Sequence, residues 1–165
     1  MKTIVAAVDF SNATPGVLDA AVNQARAFGA TLHLLHVLEP EPSYTAYGFT
    51  PDEFPAIHLF QEEARKRATL RLEELRAKVA GEMPGVSVHL AEGSPFHALV
   101  DYVTKHRADL LVLGSHGHGA VAVAIVDAAR VSQAITHRGV EPVAQSIAVG
   151  VRRRRIDALL PLVQQ

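Results

Sequence analysis

A chain of 165 residues with 48% hydrophobic side chains is long enough to bury one sizeable core, about 70% of the surface its unfolded form exposes. Its formal net charge of −1 supplies no global field that would draw it to nucleic acid or to a membrane surface. It contains no cysteine, which excludes disulfides, thiolate catalysis and cysteine-ligated metal.

The chain enters a strand at once, over Thr3–Val8, with no signal-peptide architecture before it. No apolar run reaches the roughly 18 residues that a bilayer crossing needs, so the expectation is a soluble, cytoplasmic protein. Asp9-Phe10-Ser11-Asn12 breaks the strand with turn formers. Thr14 reads as an N-cap with Pro15 at the first helical position, and Leu18, Ala21, Val22, Ala25 and Phe28 recur at helical spacing until Gly29. Thr31–Leu38 is a second strand, and Glu39–Pro55, with its prolines and tyrosines, is assigned no element. A long helix is expected from about Ala56 to Ala80, with Phe60, Ala64, Ala68, Leu72, Leu75 and Val79 as its buried stripe. Glu62/Lys66, Glu63/Arg67 and Glu74/Lys78 form i,i+4 pairs on its solvated side.

Val86–Ala91 is the third strand, and Ser94-Pro95 repeats the cap-plus-proline signature before a helix that runs to about Lys105. Asp109–Leu113 is the fourth strand, a helix is expected between about Ala120 and Thr136, and Val143–Val149 is a weaker fifth strand. Strands separated by helices imply right-handed crossovers, hence an α/β fold: an open five-stranded parallel sheet with helices on both faces. Residues 1–150 form this domain, and 151–165 a basic and apolar tail. Ligands of such sheets bind at the carboxyl ends of strands where strand order reverses, which singles out Asp9, Val37–Glu39, Glu92–Gly93 and Gly114–Gly119. The run Leu110–Gly119 in particular reads as a buried strand entering a glycine-rich turn. Glycines there either admit a phosphate to bare backbone N–H groups or simply serve a strand-to-helix connection.

The chain resembles the universal stress proteins over nearly its whole length. The resemblance is carried by Ile4-Val5-Ala6-Ala7-Val8-Asp9-Phe10-Ser11, by Leu34-Leu35-His36-Val37, by Gly93-Ser94-Pro95, and most specifically by the run from Ala108 to Gly117. It implies a Rossmann-like five-stranded parallel sheet, usually assembled as a homodimer, and in many members an adenine-nucleotide site without an assigned reaction. By the resemblance, Asp9, after Ala7 and Val8, lies near a ribose, and the backbone at Val37 contacts adenine. Gly114 and Gly117, with Leu113, Ser115, His116 and His118 around them, hold phosphates. The implied ligand is ATP, with Mg, or AMP. The family's later Gly-Ser is missing. Nine residues beyond Gly117 stand Asp127-Ala128, and an alignment anchored on Val131-Ser132-Gln133 puts Ala129-Arg130 there instead. A Cβ at Ala129 crowds a triphosphate and Asp127 repels it, whereas Arg130, beside Val131, could grip phosphate bidentately.

Other features have plainer readings. Asp9 also suits a cap on the turn after the first strand, and His36 a packed position within a strand. His116 and His118 lack a third ligand of clear spacing, so no metal is expected. Ser11, Ser94 and Ser115 sit in no nucleophile elbow. The chain has neither a Gly-x-Gly-x-x-Gly after its first strand nor a P-loop lysine, and Ala91-Glu92 stands where a phospho-receiver needs an aspartate. Arg152–Arg155 suits a solvated edge, and Ile156, Leu159, Leu160, Leu162 and Val163 suit docking on the chain's own sheet or on a partner subunit. Two functions follow as expectations: a non-enzymatic nucleotide-sensing stress regulator, or a nucleotide-free module that engages a protein partner. Neither involves a membrane or nucleic acid.

Overall fold

The segments densest in aliphatic and β-branched residues become strands. They are Thr3–Ala7 (β1), Thr31–Leu38 (β2), Ser87–Glu92 (β3), Leu110–Gly117 (β4) and Ala120–Asp127 (β5). The computed structural model of the chain describes residues 1–39, 55–117 and 120–127. Strand order is β3-β2-β1-β4-β5; the first four strands are mutually parallel, and β5 pairs antiparallel with β4. Each parallel step is bridged by a helix, as parallel pairing requires. These are Thr14–Phe28 (α1), Pro55–Val79 (α2) and Pro95–Lys105 (α3).

The pleat divides the core in two. Ile4, Ala6, Leu32, Leu34, Leu110 and Val112 face α1 and α2, where they meet Val17, Leu18, Ala21, Val22, Leu72 and Val79. Val5, Leu35 and Leu111 point to the other face, against Val103 of α3 and Ala108. Ile4, Val5, Leu32, Leu34, Leu35 and Val112 are all but inaccessible to water, and burial of each such large side chain contributes about 1.5–3 kcal/mol. The expected stripe of α2 is borne out at Ala68, Leu72 and Val79, whereas Phe60 is 65% exposed.

Local chemistry sets the element ends. Gly29 closes α1 in the left-handed conformation, φ 58°, as its position in the sequence suggested. Thr14 is not the cap: it is buried within the first turn, and Ala13 precedes the helix. The turn is closed instead from upstream, where the Ser11 carbonyl accepts the Thr14 N–H at 3.1 Å and the Ser11 Oγ accepts the Ala13 N–H at 3.2 Å. At the amino-terminal ends of the strands, Asp109 Oδ2 accepts the N–H groups of Lys2 (2.6 Å) and Thr3 (2.9 Å), which ties the start of β1 to the start of β4.

One expected element is overturned. The helix placed between Ala120 and Thr136 is, over Ala120–Asp127, a strand paired along its length with Leu110–Gly117. Val121, Val123, Ile125 and Val126 are β-branched and favour extended backbone, and β4, which runs to Gly117 and not only to the expected Leu113, offers them a full ladder. Residues 128–136, the expected strand Val143–Val149 and the tail 151–165 lie outside the described residues. Among the described residues, no helix is long and apolar enough to cross a membrane.

Candidate functional site

Strand order reverses beside β1. The chain moves outward from β1 to β2 and β3, then returns to the other flank of β1 as β4. β1 leads through α1 to β2 on one side, whereas β4 is followed by β5 on its other side, so the two chain paths diverge from the carboxyl ends of β1 and β4, the place where open α/β sheets bind ligands. Ala7 stands level with Leu35 on one side and Leu113 on the other. Val8 is buried and donates its N–H to the Leu35 carbonyl at 2.9 Å. Asp9 follows, exposed at the rim. Ala7, Val8, Asp9, Leu113 and Gly114 thus fall together at one lip, and Val37, half-buried opposite Ala91, extends β2 beyond it.

Asp9 performs the turn role open to it from sequence. Its Oδ1 accepts the Ser11 N–H at 2.9 Å, with the Thr14 hydroxyl at 3.5 Å, so the carboxylate organises the entry to α1. Next to it, Phe10 adopts φ 59°, a left-handed conformation unusual for a bulky residue. Its ring lies 4.3 Å from that of His36, and the Arg71 guanidinium sits 5.5 Å from the ring centroid. His36 Nδ1 is 2.7 Å from the Val8 carbonyl; a carbonyl can only accept, so Nδ1 carries the proton. His36 is a packed strand residue, as its position suggested. Arg71 and the orientation of Phe10 gave no signal in the sequence, because their contact joins α2 to the loop after β1.

Gly114 has a role the sequence did not disclose. A Cβ there would lie 2.9 Å from the Ala13 Cβ and 3.6 Å from Val17 Cγ2, so β4 and the first turn of α1 approach too closely for any side chain. Beyond it, Ser115, His116 and Gly117 continue β4 as backbone partners of Ala122, Val121 and Ala120. The glycine-rich run is therefore strand through Gly117, and the next described element is another strand in place of the expected helix. Asp127 is displaced from its expected setting as well: it pairs with Leu110, at the end of β4 opposite Gly117. His118, Arg130 and Val131, together with Ala128 and Ala129, lie outside the described residues.

Chemically, the rim offers a carboxylate that accepts from hydroxyls and the backbone polar groups at the end of β2, a combination suited to a ribose and a base edge. Among the described residues, no group of three or more His, Cys, Asp or Glu side chains is arranged to hold a metal ion.

Residues 1–144 match the model of the universal stress protein family. The "Universal stress protein in QAH/OAS sulfhydrylase 3'region" of Thermus aquaticus is 34% identical over 122 residues, 73% of this chain and 81% of that one. Among solved structures, the universal stress protein UspA from Lactobacillus plantarum superposes with a TM-score of 0.61 at 24% identity, over 82% of this chain and 91% of that one. A universal stress protein in complex with cAMP gives 0.50 at 19% identity, over 88% and 89% of the two chains.

Proposed function

Because the chain belongs to the universal stress protein family, we propose that it is a stress-response regulator that binds an adenine nucleotide and catalyses no reaction of its own. The observation that carries this reading is the reversal of strand order beside β1, where Asp9 follows β1 and Val37 stands near the end of the neighbouring β2. In this reading Asp9 accepts from the ribose hydroxyls, the Val37 backbone pairs with the adenine edge, and ATP or AMP is the ligand, with Mg accompanying ATP. A universal stress protein of this fold in complex with cAMP is a precedent for the ligand class. The protein then works as a cytoplasmic homodimer, and nucleotide occupancy biases which protein partner it engages.

A second reading, the nucleotide-free interaction module, draws on one observation. β4 runs through Gly117 and is followed by β5, so the glycines do not open directly onto a helix N-terminus that would favour phosphate. The same observation favours AMP over ATP within the first reading, since the adenosine end of the rim is the better furnished.

Calorimetric titration of nucleotide-stripped protein with AMP and ATP in the presence of magnesium separates the two. We expect saturable AMP binding near about 1 µM, equivalent to about −8 kcal/mol. Asp9→Asn, which keeps an oxygen for the Ser11 N–H while removing the charge, should weaken AMP by about tenfold or more at unchanged thermal stability. No heat up to millimolar ligand would transfer the assignment to the interaction module.

A further inference from the structure

Away from the rim, on the face covered by α3, three histidines converge. His33 comes from β2, His89 from β3 and His106 from the residue that ends α3. Their ring centroids are separated by 5.2 Å (His33–His89), 5.6 Å (His33–His106) and 5.7 Å (His89–His106). Tyr102 of α3 completes the group, stacked on His106 at 4.2 Å and lying 5.2 Å from His89. The Tyr102 hydroxyl is 3.0 Å from His33 Nδ1, and the Ser87 Oγ is 2.9 Å from His89 Nε2.

The groups that face one another here are His33 from β2, His89 and Ser87 from β3, and Tyr102 and His106 from α3. Asp101, Lys105 and Arg107, all exposed, flank the group along the chain. Burial, then the charges of His89 and His106, holds the His33 imidazole below its ordinary pKa. Burial, then the charge of His106, does the same to His89. Burial pushes the Tyr102 hydroxyl up to about 12, so it keeps its proton at any physiological pH. The described residues contain no cluster arranged for metal, so the occupant this chemistry suits is the proton.

We propose that the His33–His89–His106 cluster is a proton-operated latch on α3. With the imidazoles neutral, the rings pack and α3 lies closed on β2 and β3. Acidification charges imidazoles that face one another across less than 6 Å, and the last turn of α3 lifts from the sheet. The direction follows from linkage. His33 and His89 bind protons less readily folded than unfolded, so their contribution to stability is complete above the unfolded value of about 6.5 and is lost as pH falls below it, toward the lower folded values. The device biases a local opening and leaves the α1 and α2 face shut.

Amide hydrogen exchange on the full chain, corrected for intrinsic rates, tests this between pH 7.5 and 5.5. Protection over residues 99–105 of α3 should fall by about tenfold while residues 17–25 of α1 change by less than about twofold. In the variant His33→Asn/His89→Asn the two segments should respond alike. Equal responses in the unsubstituted chain, or a variant that keeps the original response, would overturn the latch. Imidazole resonances of the unsubstituted protein give a reading that needs no variant: midpoints for His33 and His89 below about 6.5 support the latch, and midpoints at or above it refute it. Stoichiometric zinc binding that disappears in His33→Asn would also refute it, replacing the proton by a metal.

Discussion

On the side of the sheet covered by α1 and α2, aliphatic side chains from three strands meet aliphatic side chains from two helices, and Ile4, Ala6, Leu32 and Leu34 are closed to water. On the side covered by α3, the smaller apolar group around Val5, Leu35 and Leu111 gives way to His33 and His89 at neighbouring strand positions. Both faces belong to the same strands, one residue apart. Apolar burial is indifferent to pH, whereas packed imidazoles are worth most when neutral. The protein thus carries a permanent face and a conditional one, and α3, the helix that covers the conditional side among the described residues, is the element whose attachment can vary.

The largest expected effect breaks the permanent face. Leu34→Ala empties a fully buried position beneath α1 and α2 and should cost about 2–5 kcal/mol in denaturant unfolding, by an amount that does not change between pH 7.5 and 5.5. Leu99→Ala, half-buried on α3, should fall at or below the bottom of that range. Equal costs would erase the distinction between the faces.

A smaller effect is expected where β4 touches α1. Gly114→Ala forces a Cβ against Ala13 at 2.9 Å and should destabilise by about 1–3 kcal/mol, with recovery in the double variant Gly114→Ala/Ala13→Gly. Absence of recovery would mean that strain is not the cause.

The smallest effect sharpens the pH argument. Hydrogen bonds from the Thr3 and then the Lys2 N–H hold the Asp109 carboxyl below its ordinary value of 3.8, with the positive charges of the N-terminus and Lys2 adding to the effect. A carboxyl with a depressed folded pKa contributes stability above about 3.8 that is lost as pH falls through the folded value. Asp109→Asn should lower the thermal midpoint at pH 7 by less than about 4 °C, because the group is exposed, and the deficit should shrink below about pH 3.8. The deficit should be the same at pH 6 as at pH 7, which separates this acid limb from the histidine one.

Much of the fold was legible because β-rich runs alternate with helical spacing from Thr3 to Leu113, and Gly29, Pro15 and Ser94-Pro95 mark helix ends in plain chemistry. The stretch Ala120–Asp127 was not legible. Alternating alanine and valine suits a helix face and a strand alike, and what decides is a ladder with β4 that only pairing reveals. At the site, Asp9 and Val37 were singled out because one follows β1 and the other stands near the carboxyl end of β2. The reading of Gly114 as phosphate backbone missed its closeness to Ala13, a contact between segments far apart in the chain. The histidine cluster escaped for the same reason: His33, His89 and His106 lie on three elements, and nothing in their spacing marks them as neighbours.

The pairing of Thr3 with Asp109 spans 106 positions, and this dictates an order of events during synthesis. β1 and β2 can join as soon as α1 has formed between them, but the other flank of β1 must wait for Leu110–Leu113 to leave the ribosome. Through that interval Ile4–Ala7, a wholly apolar run whose Ile4, Val5 and Ala6 are fully buried in the finished sheet, presents a bare edge to whatever is nearby. A nascent chain stalled before β4 is the form of this protein most exposed to aggregation and most in need of a chaperone.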